Sequence, residues 1–153
     1  SGSGKSTIDK ALQHKLGAGK MLIPQDVIRR DILRAEDKVN NPSGDLIELL
    51  CDYGYKIGYD VIIEGILSKY KYGDMLQDLI NKFDGNVYLY YLDISFEETL
   101  RRHSLKPNAH EFGEREMREW WKEKDYLGVE NERILSENLS EDELVELILS
   151  DVV

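Results

Sequence analysis

Residues suited to gripping phosphate open the chain, as Ser1-Gly2-Ser3-Gly4-Lys5-Ser6-Thr7. The run matches the end of the phosphate-binding loop signature G-x-x-x-x-G-K-[ST], whose first glycine would precede Ser1. Gly2 and Gly4 permit backbone conformations closed to residues with a side chain. The amides around Gly2, Ser3 and Gly4 can then converge on phosphate oxygens, aided by the positive end of the helix that follows. Lys5 would bridge the β- and γ-phosphates, Ser6 would place its hydroxyl on Mg2+, and Thr7 would sit near the α-phosphate. A Gly/Ser linker is the bland alternative, and the Lys-Ser-Thr ending before an amphipathic helix argues against it.

Three further groups could act on what that loop holds. Asp26 and Arg29 follow a short apolar run, and their i, i+3 spacing puts them on one helical face. Such a carboxylate can take a proton from an acceptor hydroxyl, and the arginine can hold an anionic substrate or the transferring phosphoryl group. The alternative is a helix N-cap beside a solvated arginine. Glu64 ends the apolar run Val61-Ile62-Ile63 and could bind a Mg2+-coordinated water or orient the acceptor; a structural ion pair is the alternative. Gly65 then allows close approach of backbone to ligand. Arg102 and Lys106, i, i+4 partners, could close over the phosphates and offset charge in the transition state, with Arg101 a weaker candidate. Cys51 sits in a helical pattern as a packed side chain, Trp120 and Trp121 with Met117 pack the helix after the lid, with adenine stacking the alternative, and His14, His103 and His110 lack metal-ligand spacing.

Alternating helices and strands must position these groups. Lys5–Leu16 has helical spacing and stops at Gly17; Met21–Pro24 is a buried strand. Asp26 begins a helix carrying Val27, Ile28, Ile32 and Leu33, and a polar loop runs from Ala35 to Ser43. Asp45–Ile57 is helical with Leu46, Leu50 and Ile57 on one face, before the strand Val61–Ile63. Tyr72, Met75, Leu76, Leu79, Ile80 and Phe83 form a helical stripe, and Asn86–Leu92 is an interior strand. Ser95 and Glu98 make a capping box for Phe96–His103. Lys106–Gly113 is irregular, Glu114–Lys124 helical, Ile134-Leu135 a strand, and Ser140 with Glu143 caps a last helix burying Leu144, Leu147 and Ile148. The alternation predicts an α/β fold with a parallel sheet whose ligands bind at the strand C-termini, where Asp26, Glu64 and Asp93 lie.

Bulk properties fit one domain over residues 1–153, with a lid at about 104–124. The chain is 41% hydrophobic and 33% charged, with a net charge of −10 that argues against an extended nucleic-acid surface. The sequence has no apolar run of membrane-spanning length, and its lone cysteine fits a reducing cytoplasm. Oligomeric state has no signature here.

Together GSGKST, the D-x-x-R of Asp26 and Arg29, the strand VIIEG and the R-x-x-x-K of Arg102 and Lys106 resemble the P-loop kinases. The similar subgroup is that of polynucleotide 5′-hydroxyl kinase, zeta toxin and chloramphenicol phosphotransferase. The resemblance implies the P-loop NTPase fold, three layers α/β/α with strand order 2-3-1-4-5, and ATP with Mg2+ as cofactors. It implies that Asp26 is the general base, that Arg29 contacts the acceptor or phosphoryl group, and that Arg102 stabilises the leaving phosphate. Two departures stand out. The first strand and first loop glycine are missing, so roughly a dozen residues carrying that strand are expected before Ser1. Lys106 stands where relatives often have arginine, which weakens a bidentate role.

The expected activity is transfer of the γ-phosphoryl group of ATP to a hydroxyl of a small-molecule or nucleotide-like acceptor. The alternative is a nucleotide-binding regulatory ATPase or GTPase module without kinase activity. Asn81-Lys82-Phe83-Asp84 matches N-K-x-D and Asp125–Gly128 matches D-x-x-G, but their order is reversed from that of a GTPase.

Overall fold

In the computed structural model, residues 5–83, 86–93, 95–104, 115, 118, 124–129 and 132–152 are described, with side chains from Ile8 onward and not for residues 103 and 104. They form a mixed α/β structure with parallel strands. The chain divides into two compact units, Ser6–Val87 and Ser1–Lys5 with Tyr88–Val153.

In the first unit, helix α1 (Lys5–Leu16) leads through Gly17 and Gly19, both with positive φ, into strand β1 (Lys20–Pro24). Helix α2 (Ser43–Lys56) returns the chain to strand β2 (Asp60–Glu64), and helix α3 (Lys69–Lys82) follows. Strands β1 and β2 pair in parallel from Lys20 with Asp60 to Pro24 with Glu64, so both C-termini end at one level. The core joins Ile23, Ile28, Ile47, Cys51, Tyr72, Met75 and Leu79. Its α3 members follow the expected stripe, with Leu76 and Phe83 packed against them. At Gly54 helix α2 lies so close to β2 that an added Cβ would stand 2.7 Å from a Val61 methyl carbon. Burial pushes the Cys51 thiol up to about 11, with the carboxylates of Asp52 and Glu48 adding to it. Cys51 is therefore a packed side chain, as expected.

In the second unit, strand β3 (Leu89–Asp93) is followed by helix α4 (Phe96–Ser104), strand β4 (Glu132–Ser136) and helix α5 (Glu141–Val152). Strands β3 and β4 are parallel, from Leu89 with Glu132 to Asp93 with Ser136. The two observed pairings agree with neighbours 2-3 and 4-5 of the expected order. Ser140 and Glu143 form a complete capping box: the Ser140 hydroxyl accepts from the Glu143 amide at 3.1 Å and the Ser140 amide donates back at 3.2 Å. The box at Ser95 is half closed. Its hydroxyl accepts from the Glu98 amide at 3.2 Å, but its own amide donates to Glu137 at 3.1 Å. Glu98 is drawn instead to Arg101 and Arg102.

Local structure departs from the sequence expectation in places. Val27–Ile32 is a π-helical segment, closed by the Leu33 amide on the Ile28 carbonyl at 3.0 Å. The wider turn buries Ile28 but leaves Val27 and Ile32 exposed. On α2 the buried face is Ile47, Cys51 and Gly54; Leu46 and Leu50 pack at its margin, while Ile57 lies past the helix and is exposed. The run Asn86–Leu92 becomes strand only from Leu89, and Tyr88 is exposed. The helix expected at Glu114–Lys124 lies largely outside the described residues.

Candidate active site

The C-terminal ends of β1 and β2 bring the predicted acid, arginine and metal-side carboxylate to one rim. The register pairing Pro24 with Glu64 sets Asp26 two residues past the point level with Glu64. Gly65 makes this rim compact. Its φ of +141° is rare for residues with a side chain, and an added Cβ would stand 2.9 Å from the Gln25 Cβ.

Asp26 stands at the N-cap position of the π-helical segment with helical angles, and its side chain makes no cap hydrogen bond. Its carboxylate is 53% exposed and stands 3.9 Å from a terminal nitrogen of Arg29. Arg29 is not a solvated arginine: its side chain is 15% exposed. One terminal nitrogen donates to the Ala35 carbonyl at 3.1 Å, and Nε lies 3.9 Å from an Asp37 oxygen that Lys71 approaches to 2.9 Å. Nε is buried and makes no hydrogen bond.

Beneath this segment lies a buried polar network that the sequence pattern did not disclose. Gln25, between Pro24 and Asp26, donates from Nε2 to the Tyr72 hydroxyl at 2.7 Å. Asn41 donates to the same oxygen at 3.1 Å and to the Lys38 carbonyl at 2.8 Å. The Asn41 side-chain oxygen accepts from the Ser43 amide at 3.1 Å and from the Ser43 hydroxyl. The Ser43 and Tyr72 hydroxyls are 3.1 Å apart. A phenol oxygen has two acceptor sites, both taken by the amides, so its proton points to Ser43, whose own proton goes to Asn41. The donors and acceptors at Tyr72, Ser43 and Asn41 thus close without conflict. The only sequence signal was local: Asn41-Pro42-Ser43 has the composition of an Asx turn into a helix start.

Gly2, Ser3, Gly4 and Lys106 lie outside the described residues, as do Trp120 and Trp121. Lys5, Ser6 and Thr7 form the first turn of α1, where the loop signature requires a helix to begin. Arg102 donates from Nε to Glu98 at 2.9 Å and from a terminal nitrogen to the Glu137 carbonyl at 3.1 Å. Both bonds fasten the Arg102 guanidinium to its own unit, as the Ala35 carbonyl fastens that of Arg29. Arg101 forks onto Glu98 at 2.8 and 2.6 Å. Bonds from Arg101 and then Arg102 hold the Glu98 carboxyl down at about 2. Asp93 accepts from Tyr126 at 3.0 Å, which marks it as a packing acceptor.

The stretches resembling guanine-specificity motifs are elsewhere employed. Asn81 and Lys82 belong to α3, and the Leu127 and Gly128 amides donate to Glu132 at 3.1 and 2.9 Å. Among the described residues no group of three or more His, Cys, Asp or Glu side chains could hold a metal ion, and no helix is long and apolar enough to cross a membrane.

A family model described as zeta toxin matches residues 1–131. A solved structure described as a gluconokinase from Sinorhizobium meliloti 1021 matches with a TM-score of 0.66 at 17% identity, covering 99% of this chain and 86% of that one. No curated protein matches the chain. At that identity the structural likeness establishes the fold alone, which is the P-loop kinase fold.

Proposed function

The chain belongs to the zeta toxin family, and from that premise we propose that it transfers the γ-phosphoryl group of ATP to a hydroxyl of a small-molecule or nucleotide-like acceptor. Family and fold support a nucleotide-binding phosphotransferase of the P-loop kinase kind. The finer reading rests on one observation: an arginine drawn into the structure beside an exposed carboxylate, Arg29 and Asp26 at 3.9 Å, on the rim where such sheets bind ligands. A module that only sensed ATP would need neither residue.

In this reading the donor triphosphate is held by the amides of Gly2, Ser3 and Gly4, by Lys5 and by Thr7. Asp26 takes the proton of the acceptor hydroxyl as its oxygen meets the γ-phosphorus. Arg29 offsets the charge of the acceptor or of the moving phosphoryl group, and Arg102 with Lys106 closes over the leaving diphosphate. Mg2+, held by the Ser6 hydroxyl and through water by Glu64, would neutralise phosphate charge. Such an ion is held by phosphates with one or two protein oxygens rather than by an all-protein cage. Positioning and charge neutralisation supply most of the acceleration. The reading takes residues 1–153 as one kinase domain with a lid at about 104–124, and a cytoplasmic setting goes with it.

Screening hydroxyl compounds with γ-labelled ATP tests the activity, and Asp26→Asn tests the base. The variant should bind ATP as before and lose about 10²–10⁴-fold in transfer rate. Undiminished transfer by Asp26→Asn would remove that residue from the mechanism.

A further inference from the structure

We propose that Arg29 and Lys71 form an anion subsite for a carboxylate or phosphate on the acceptor, with Asp37 seated in it as an internal stand-in. The proposal deepens the kinase reading and rests on it for the word acceptor.

Three observations converge. First, two cations from separate elements, the π-helical segment and α3, meet at one oxygen: Asp37 Oδ1 lies 2.9 Å from Lys71 Nζ and 3.9 Å from Arg29 Nε. Second, the shared carboxylate serves the two unequally. At 2.9 Å it satisfies Lys71, whereas at 3.9 Å it is too far to accept a hydrogen bond from Arg29. Third, Arg29 Nε is buried without a hydrogen-bond partner, and the Asp26 carboxylate is no nearer to the guanidinium, at 3.9 Å. A buried guanidinium N–H without an acceptor is a group waiting for a better anion.

Asp37 can yield its place. It sits on the irregular stretch between the π-helical segment and α2, and its side chain is 52% exposed. Half-exposed ion pairs contribute little to stability, so an incoming anion meets weak competition. A planar carboxylate or a phosphate would accept from both Arg29 and Lys71. It would bind beside Asp26, with the rest of the acceptor free to offer its hydroxyl to that base. Specificity for charged acceptors would then coexist with the net charge of −10, because the cations are local.

The test uses the full chain, labelled with nitrogen-15, titrated separately with inorganic phosphate and with lactate. Amide shifts at Ala35, Asp37 and Lys71 report this subsite and separate it from phosphate bound at the opening loop. We expect saturable shifts at those three amides, and the tighter of the two probes identifies the anion class. Lys71→Met should weaken binding about tenfold, the loss of one charge-assisted hydrogen bond. Asp37→Asn should tighten it several-fold by removing the competitor. Both positions reach solvent, and thermal melting checks that the variants fold. The idea is overturned by absent shifts, or by folded variants that bind as the wild type does, which would leave Asp37 a structural ion pair. Anion binding without phosphoryl transfer would refute the kinase reading alone. Transfer to hydroxyl compounds with KM indifferent to Lys71→Met would refute this subsite alone.

Discussion

Replacing Tyr72 by Phe tests the buried network under the rim with little change of shape. The ring stays, while one oxygen that accepts from Gln25 at 2.7 Å and Asn41 at 3.1 Å, and pairs with Ser43 at 3.1 Å, is removed. Asn41 keeps the Lys38 carbonyl and Ser43 keeps Asn41, so each loses only part of its bonding. The Gln25 amide loses its hydroxyl partner while only 2% exposed. One orphaned buried donor costs about 1–3 kcal/mol, and the two weakened partners add to it, so a loss of about 2–4 kcal/mol is expected. Total stabilities lie on the order of 5–15 kcal/mol, so the variant should still fold. Urea unfolding followed by circular dichroism measures the loss. Because the chain has two compact units, each transition must be fitted separately. A double-mutant cycle with Gln25→Ala should show coupling of about 1 kcal/mol or more. Gln25 adjoins Asp26, so kcat should fall while ATP affinity is unchanged. A loss under about 0.5 kcal/mol, the range of ordinary surface changes, would show that the network does not hold Gln25.

Two other perturbations have readable outcomes. Gly65→Ala combines a backbone strained at φ +141° with a Cβ 2.9 Å from that of Gln25; strain and overpacking together should cost about 2–4 kcal/mol in urea unfolding, and wild-type stability would refute the close packing of the rim. Glu98 has a folded-state carboxyl lowered to about 2 by Arg101 and Arg102 from the ordinary 4.5, so its contribution is present above the ordinary value and lost as pH falls through about 2. Glu98→Gln should flatten the melting temperature against pH across that window, and an unchanged slope would show that the arginines gain nothing from Glu98.

Much of the fold was legible because it depends on local periodicity. The α3 stripe repeats at helical spacing, and Ser140 with Glu143 sits three residues apart, where a reciprocal cap forms. Where competing interactions decide, the pattern failed. Glu98 has the capping spacing, but two arginines claim its carboxylate and Glu137 takes the Ser95 amide. Val27 and Ile32 suggest an apolar face, yet the π-helical turn shifts their phase so that Ile28 alone is buried. Asp26 and Arg29 could be chosen because strand end and spacing are local facts. Asn41 and Gln25 could not, because their shared partner, Tyr72, lies 31 and 47 residues away and reads as a core aromatic in its own helix.

The exposure profile of residues 25–29 explains how a surface carboxylate can be held for chemistry. Gln25 is 2% exposed and bonded to Tyr72; Ile28 is 4% exposed in the core; the Arg29 side chain is 15% exposed and fastened to the Ala35 carbonyl. Asp26 lies between these anchors with its carboxylate turned out. An exposed acid on an untethered loop would spend entropy each time it met a hydroxyl, whereas anchors on both sides meet that cost during folding. Asp26 can then stay open to solvent and to an incoming hydroxyl, while its backbone is fixed by the buried Gln25 and Ile28 on either side. Substitutions at Gln25 or Tyr72 should therefore act on kcat through Asp26, and rim substitutions such as Lys71→Met on KM through the acceptor.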